Sequence, residues 1–408
     1  MRVKTSVAVL VLLVVCSLAF SLALRNNFGS KARLINDYSD RGIYAAEGAQ
    51  LLRSGVPYTG AFSEYPQIAL YFFAVPHLII AWIDPRNNLH LDYSTIFSLL
   101  MMVFCCLSIS ILYRLLNRQK YLAFLLLLPA SFYFTFNRFD SMACFATLFS
   151  VYLFSKGHYN LSALFLSVGT FIKWYPALVL PALLMCYVSI HKRIPWSMLI
   201  TFGLASLVIV LPTLATGGIA ALIFPYKFHV TTGLNNESLL SLLDYVVHRM
   251  SNITLVSQLV LDLFLILQFS IIPLCLTSRV DSLDKVVRWS ALAILVFILF
   301  AKFDSPQWIL WIIPFLILKA RRSLDVLWII LFDLVTYIGF PIGFDLAGET
   351  SEVFRVIVLV KIGFLLGFIV PLMAGLLKDN LVFAFIQQRL NAYIHRKEGQ
   401  KTRPEMGV

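Results

Sequence analysis

Long apolar runs, separated by short polar junctions, dominate the chain. A helix needs roughly 20 mostly apolar residues to cross a bilayer. On that measure the pattern predicts spans at 6–24, 93–113, 121–136, 139–155, 160–173, 175–190, 196–213, 254–277, 289–301, 307–319, 323–340 and 354–377. The first run has a basic start but no clean small-residue cleavage site before Arg25-Asn26-Asn27, so it reads as an uncleaved anchor. Segment 67–83 is apolar but short, and it carries Pro76 and His77. The expected fold is therefore all-α and polytopic: a single integral membrane domain over residues 1–408, with about 11–13 transmembrane helices.

Basic residues fall between these runs in clusters: Arg2/Lys4, Arg114/Arg118/Lys120, Lys192/Arg193, Arg279/Lys285/Arg288, Lys319/Arg321/Arg322 and His395-Arg396-Lys397. Positive residues gather in short cytoplasmic loops, and this fixes sides. Residues 25–66 become a first extracytoplasmic loop, 214–253 a large one, and 378–408 a basic cytoplasmic tail. By the same count residues 84–92 also lie outside. Segment 67–83 is then expected to be re-entrant or to lie along the interface, unless one of the short runs flanking Lys173 fails to cross.

Composition agrees. Of 408 residues 60% are hydrophobic and 13% charged, with a mean hydropathy of +0.83, against about 45–50% and about 25% in soluble proteins. The net charge of +12 is accounted for by the cytoplasmic clusters, so nucleic acid is not an expected partner. Cys16, Cys105, Cys106, Cys144, Cys186 and Cys275 sit inside apolar runs without metal-ligand spacing and read as small core residues.

The ionisable residues left over collect on the extracytoplasmic side. Charge at membrane depth is costly, which makes such residues functional candidates. Asp37 and Asp40 precede a helical pattern that Gly55-Val56-Pro57-Tyr58 stops. They suit either helix capping or, in a dry cleft, general-base chemistry. Asn137-Arg138-Phe139-Asp140 joins two runs with almost no loop. It is either a snorkelling ion pair or an arginine fork offered to phosphate and oriented by a carboxylate. Lys173, before Trp174-Tyr175-Pro176, needs an anion. Lys302-Phe303-Asp304-Ser305-Pro306-Gln307-Trp308 is either a turn with an aromatic belt or a binding edge, with Gln307 as hydrogen-bonder and Trp308 as stacking surface. His229 lies mid-loop beside Lys227, as a structural histidine or a phosphate contact. Asn236-Glu-Ser and Asn252-Ile-Thr are sequons that matter only in a eukaryotic secretory route. Lys361, Asp262 and Asp333 lie within later spans and receive no role.

Four motifs occur in order: Ser39-Asp40 with Tyr44 and the Gly55/Pro57-Tyr58/Tyr65-Pro66 run; Arg138-Phe139-Asp140; Lys173-Trp174-Tyr175-Pro176 through Pro181; and Ser305-Pro306-Gln307-Trp308. In this the chain resembles the GT-C membrane glycosyltransferases, most closely family 87, the polyprenol-phosphate-mannose-dependent (DUF2029-type) enzymes. More distantly it is similar to the first mannosyltransferase of GPI-anchor synthesis. It departs at Tyr65-Pro66-Gln67, where members commonly carry a second proline, and at Thr231-Thr232-Gly233, where many carry an arginine.

The resemblance implies a GT-C-like bundle with an extracytoplasmic active site. There a hexose, mannose by likeness, would pass with inversion from a polyprenyl-phosphate donor to a lipid or glycan acceptor. It implies Asp40 as base with Asp37 as fallback, Arg138, Lys173 and His229 as donor-phosphate ligands, and Asp140, Tyr44, Tyr65, Gln307 and Trp308 as substrate contacts. It assigns no metal ligand and needs no cofactor, although a divalent metal would be compatible with it. The membrane would be the plasma membrane in a prokaryote and the endoplasmic reticulum in a eukaryote, with membrane lipids as constant partners. A secondary transporter or lipid flippase is the alternative; it predicts inverted repeats and mid-bilayer charge.

Overall fold

The computed structural model describes residues 37–58, 64–378 and Asn380. The expected anchor 6–24, Cys16, residues 25–36 of the first loop and nearly all of the tail 378–408 lie outside the described residues. The described chain is all-α. Its helices are α1 (Tyr38–Ser54), α2 (Gln67–Ile83), α3 (Tyr93–Leu115), α4 (Pro129–Asn137), α5 (Asp140–Ser155), α6 (Tyr159–Ile172), α7 (Leu180–His191) and α8 (Trp196–Thr231). There follow α9 (Leu239–Ser251), α10 (Gln258–Phe269), α11 (Ile271–Leu276), α12 (Leu283–Leu299), α13 (Ile309–Lys319), α14 (Ser323–Tyr337), α15 (Phe344–Ala347) and α16 (Glu352–Leu377). Among the described residues five stretches are long and apolar enough to cross a membrane: Tyr93–Leu115, Trp196–Thr231, Gln258–Leu276, Ser323–Ala347 and Glu352–Leu377. Ile200, Leu204, Val208, Leu211 and Ile219 of α8 are exposed, an apolar flank that water would not tolerate over such a length and acyl chains would cover.

Three expectations change. Segment 67–83 is one unbroken helix, with no turn where a re-entrant loop would double back. The run 121–136 is not one helix: a tight 3₁₀ stretch, Lys120–Leu127, precedes α4, which begins at Pro129. Proline cannot donate the backbone hydrogen bond that a continuous helix needs, but suits a helix start. The loop expected at 214–253 is largely helical. α8 runs on to Thr231, bending at Gly218, whose φ of +68° only glycine adopts freely, and α9 fills 239–251.

The five described cysteines are all buried and free, as expected of core residues. α1 lies directly against α2 because position 48 is glycine: a Cβ there would stand 2.1 Å from the Phe73 carbonyl oxygen.

Asp333, deep in α14, caps α4 from outside. Its carboxylate accepts from the Ala130 N–H (2.8 Å), the Ser131 N–H (3.0 Å) and the Ser131 hydroxyl (2.7 Å). An α-helix leaves its first N–H groups without internal partners, and here another helix supplies them. Asp333→Leu should cost about 1–3 kcal/mol through the orphaned donors. Thermal unfolding in detergent micelles checks this; an unchanged melting temperature contradicts it.

A candidate active site at four chain junctions

The start of α1, the α4–α5 junction, the segment after α6 and the turn before α13 meet at one place. Asp37 caps α1, accepting from the Ser39 N–H (3.0 Å) and hydroxyl (2.6 Å). Its own N–H donates to Asn137 Oδ1 (2.9 Å), which joins the α1 start to the end of α4. Thus the capping and functional readings of this carboxylate describe the same atoms. Gly55 ends α1 with φ +66°, its N–H bonded to Leu51 O at 2.9 Å.

Arg138 sits between the two carboxylates that open α1. Nη2 donates to Asp37 Oδ2 at 2.8 Å, and Nε lies 2.8 Å from Asp40 Oδ2, though its N–H points off line. Arg41 braces the arrangement from behind, Nε donating to Asp37 O and Nη1 to Ser98 Oγ. The three site carboxylates differ in access: the Asp37 side chain is 1% exposed, Asp140 0% and Asp40 26%.

Burial also separates the two acids of α1. Asp37 is pushed up by burial, but the Arg138 charge and the Ser39 and Arg138 hydrogen bonds outweigh this and hold it below the ordinary carboxylate range. In Asp40 burial wins over the pull of Arg138, helped by the charges of Asp37 and Glu64, and its pKa lies above the ordinary value.

Asp140 is oriented by Trp311, whose Nε1 donates to Oδ1 at 2.7 Å; Oδ2 is buried without a hydrogen-bond partner. Trp311 belongs to a stack, with Tyr175 at 4.6 Å on one side and Trp308 at 4.5 Å on the other. Lys173 Nζ lies 3.8 Å from Asp140 Oδ1 and rests over the rings of Phe139 (4.4 Å) and Tyr65 (5.1 Å), with its side chain 12% exposed. Three carboxylates therefore surround two cations, and Lys173 is the more loosely held cation.

Tyr44 and Tyr65 form the floor. Both are buried, with Phe73 and Phe139, in an edge-and-stack cluster; the Tyr44 hydroxyl reaches Asp40 Oδ2 over a long 3.4 Å bond. His229 donates from Nε2 to Glu64 O (3.1 Å) and packs edge-on against Trp174, beside Tyr226. It thus adjoins the residue following Lys173. Gln307 is buried, its Oε1 taken by the Ser305 hydroxyl (2.6 Å). Trp308 faces Trp311 instead of standing clear.

Sequence reasoning missed Trp311, Asn137 and Arg41 as parts of this site. Trp311 looks like one more apolar-helix aromatic, and only its non-local bond to Asp140 reveals it. Among the described residues no cluster of three His, Cys, Asp or Glu side chains is placed to hold a metal ion. No protein-family model matches the chain, and no curated protein matches it.

Proposed function

We propose that the protein is an inverting glycosyltransferase that moves a hexose, mannose by resemblance, from a polyprenyl-phosphate donor to a lipid or glycan acceptor on the extracytoplasmic face of the membrane. The observation that carries the reading is the division of labour among the three carboxylates. Asp37 and Asp140 are sealed in by their partners, while Asp40 has an open edge and a raised pKa. A carboxylate so placed suits a general base.

In the proposed step Asp40 takes the proton of the acceptor hydroxyl as its oxygen attacks the anomeric carbon from the face opposite the phosphate. The bond from that carbon to the phosphate oxygen breaks, and the polyprenyl phosphate leaves with one more negative charge than it had as a diester. Fixed cations stabilise charge that develops in the transition state. Lys173, loosely paired and partly exposed, takes the larger share, with His229 beside Trp174 at the same edge. Arg138 is committed to two carboxylates, so its main part is to hold Asp40 in place. Asp140 and Trp311 in turn hold Lys173.

The test uses purified protein in lipid vesicles, radiolabelled polyprenyl-phosphate mannose and other hexose donors, and a crude acceptor-lipid extract. Label moving to acceptor supports the reading. Donor that crosses the bilayer chemically unchanged, with no transfer from any donor, supports a flippase instead. The base must be deprotonated to act, so a raised pKa moves the acid limb of the rate profile upward. Transfer should fall on acidification through an apparent pKa above about 3.9, the ordinary aspartate value. A limb at or below that value would remove Asp40 as the titrating base.

A further inference from the structure

A second polar cluster stands apart from Asp40. Lys361, in the outer half of α16, is buried with its ammonium 2.8 Å from Asp304 Oδ2 and 3.6 Å from Glu237 Oε2. Asp304 is buried too, and its Oδ1 has no hydrogen-bond partner. Glu237, pushed up to about 7 chiefly by burial against the pull of Lys361, feels the further negative charge of Glu349. Backbone and side-chain bonds between Asn235 and the Lys302–Asp304 turn hold the two loops together.

Glu237 and Lys361 close one end of a recess between α14 and α16, whose remaining walls include Val335, Thr336, Phe340 and Ile357. Exposed Ile338, Val353 and Val356 continue the apolar wall outward, along the surface that lipid would cover. Phe340 is shared with the candidate active site: its other neighbour is the Arg138 guanidinium, Cζ 5.9 Å from the ring centroid.

We infer that this recess is a binding subsite for the hydroxyl-rich headgroup of a glycolipid, with Glu237, Asp304 and Lys361 bonding its hydroxyls and the apolar walls taking the start of its chain. The role of acceptor subsite rests on the glycosyltransferase reading; the binding chemistry does not. Two carboxylates and a nearby third acid around a single ammonium disfavour a phosphate headgroup. They offer acceptor oxygens to hydroxyl protons, and the open lone pairs of Asp304 Oδ1 are among them. The mixed character of the recess, charged at one end and apolar along its length, fits an amphipathic ligand better than a free sugar.

The experiment is photocrosslinking of the full chain in nanodiscs, with a diazirine-bearing alkyl glycoside as probe. A diazirine-bearing alkyl phosphate serves as the control headgroup and methyl glycoside as soluble competitor, with the labelled peptides mapped by mass spectrometry. Glycoside label is expected within 335–340 and 354–361, exceeding alkyl-phosphate label and only weakly competed by methyl glycoside. The triple variant Glu237→Gln/Asp304→Asn/Lys361→Met removes the charges together, leaving none unpaired, and should lower glycoside labelling about tenfold or more. Val335→Trp, which fills the recess and leaves the charges alone, should do the same and guards against a folding defect in the triple variant. Equal labelling by glycoside and phosphate, or labelling unchanged in Val335→Trp, overturns the proposal; strong competition by methyl glycoside shifts it to a free glycan. Because labelling is read without sugar transfer, a wild type that labels but transfers nothing counts against the enzyme reading alone. One that transfers but does not label counts against the subsite alone.

Discussion

Replacing Asp40 with asparagine should lower sugar transfer by about 10²–10⁴-fold, the usual contribution of a positioned base, and leave the melting temperature nearly unchanged. The amide keeps the shape of the side chain and its place at the helix start, but cannot take the acceptor proton. Stability should hold because Asp40 is partly exposed and Arg138 keeps its 2.8 Å bond to Asp37. Asp37→Asn should behave in the opposite way. Asp37 is buried and bonded to Arg138, and its N–H is bonded to Asn137, so its charge matters chiefly to folding. The melting temperature should drop clearly, while transfer per folded molecule falls less than in Asp40→Asn. Transfer rates normalised to folded protein, alongside thermal melts, separate the two. If Asp37→Asn is the catalytically dead variant and Asp40→Asn is not, the base is Asp37.

The parts of this arrangement that could be read from sequence share one property: charge set where apolar sequence makes it expensive. Arg138, Asp140 and Lys173 stand at the ends of apolar runs with almost no loop around them, and the structure gathers them with Asp37 and Asp40. The stop at Gly55 was legible for a local reason, because a helix end needs a residue that tolerates positive φ. What escaped was non-local. Asp333 looked like a stray charge in a span until the start of α4 packed beside it. Lys361 gained meaning only when two loops far away in sequence supplied Asp304 and Glu237. Boundaries failed where proline and glycine admit two outcomes. Gly217-Gly218 and Pro225 suggested a loop, yet the chain bends at Gly218 and resumes its helix to Thr231. Pro129 split a run that composition alone made continuous.

The largest structural effect is expected at Arg138. Arg138→Met leaves Asp37 and Asp40 facing each other with no cation between them, and the removal of one partner from a buried ion pair costs about 3–5 kcal/mol. The folded yield in detergent should collapse or the melting temperature fall steeply. Arg138→Lys is not a conservative change here. Lysine carries one compact charge, whereas the guanidinium plane reaches Asp37 through Nη2 and Asp40 through Nε at once, both at 2.8 Å. The informative variant is Arg138→Met combined with Asp37→Asn, which removes the buried cation and the more deeply buried of its two partners. Much of the lost stability should return, because no sealed charge is left uncompensated. Transfer should stay low, because nothing then holds Asp40 in position or draws its proton affinity down. A double variant as unstable as Arg138→Met would mean that the arginine stabilises the fold through packing against Phe340 and its bond to Asn137 O more than through charge. Recovery of both stability and transfer would mean that Asp40 needs no arginine to act, and that the Asp37–Arg138–Asp40 bridge serves folding alone.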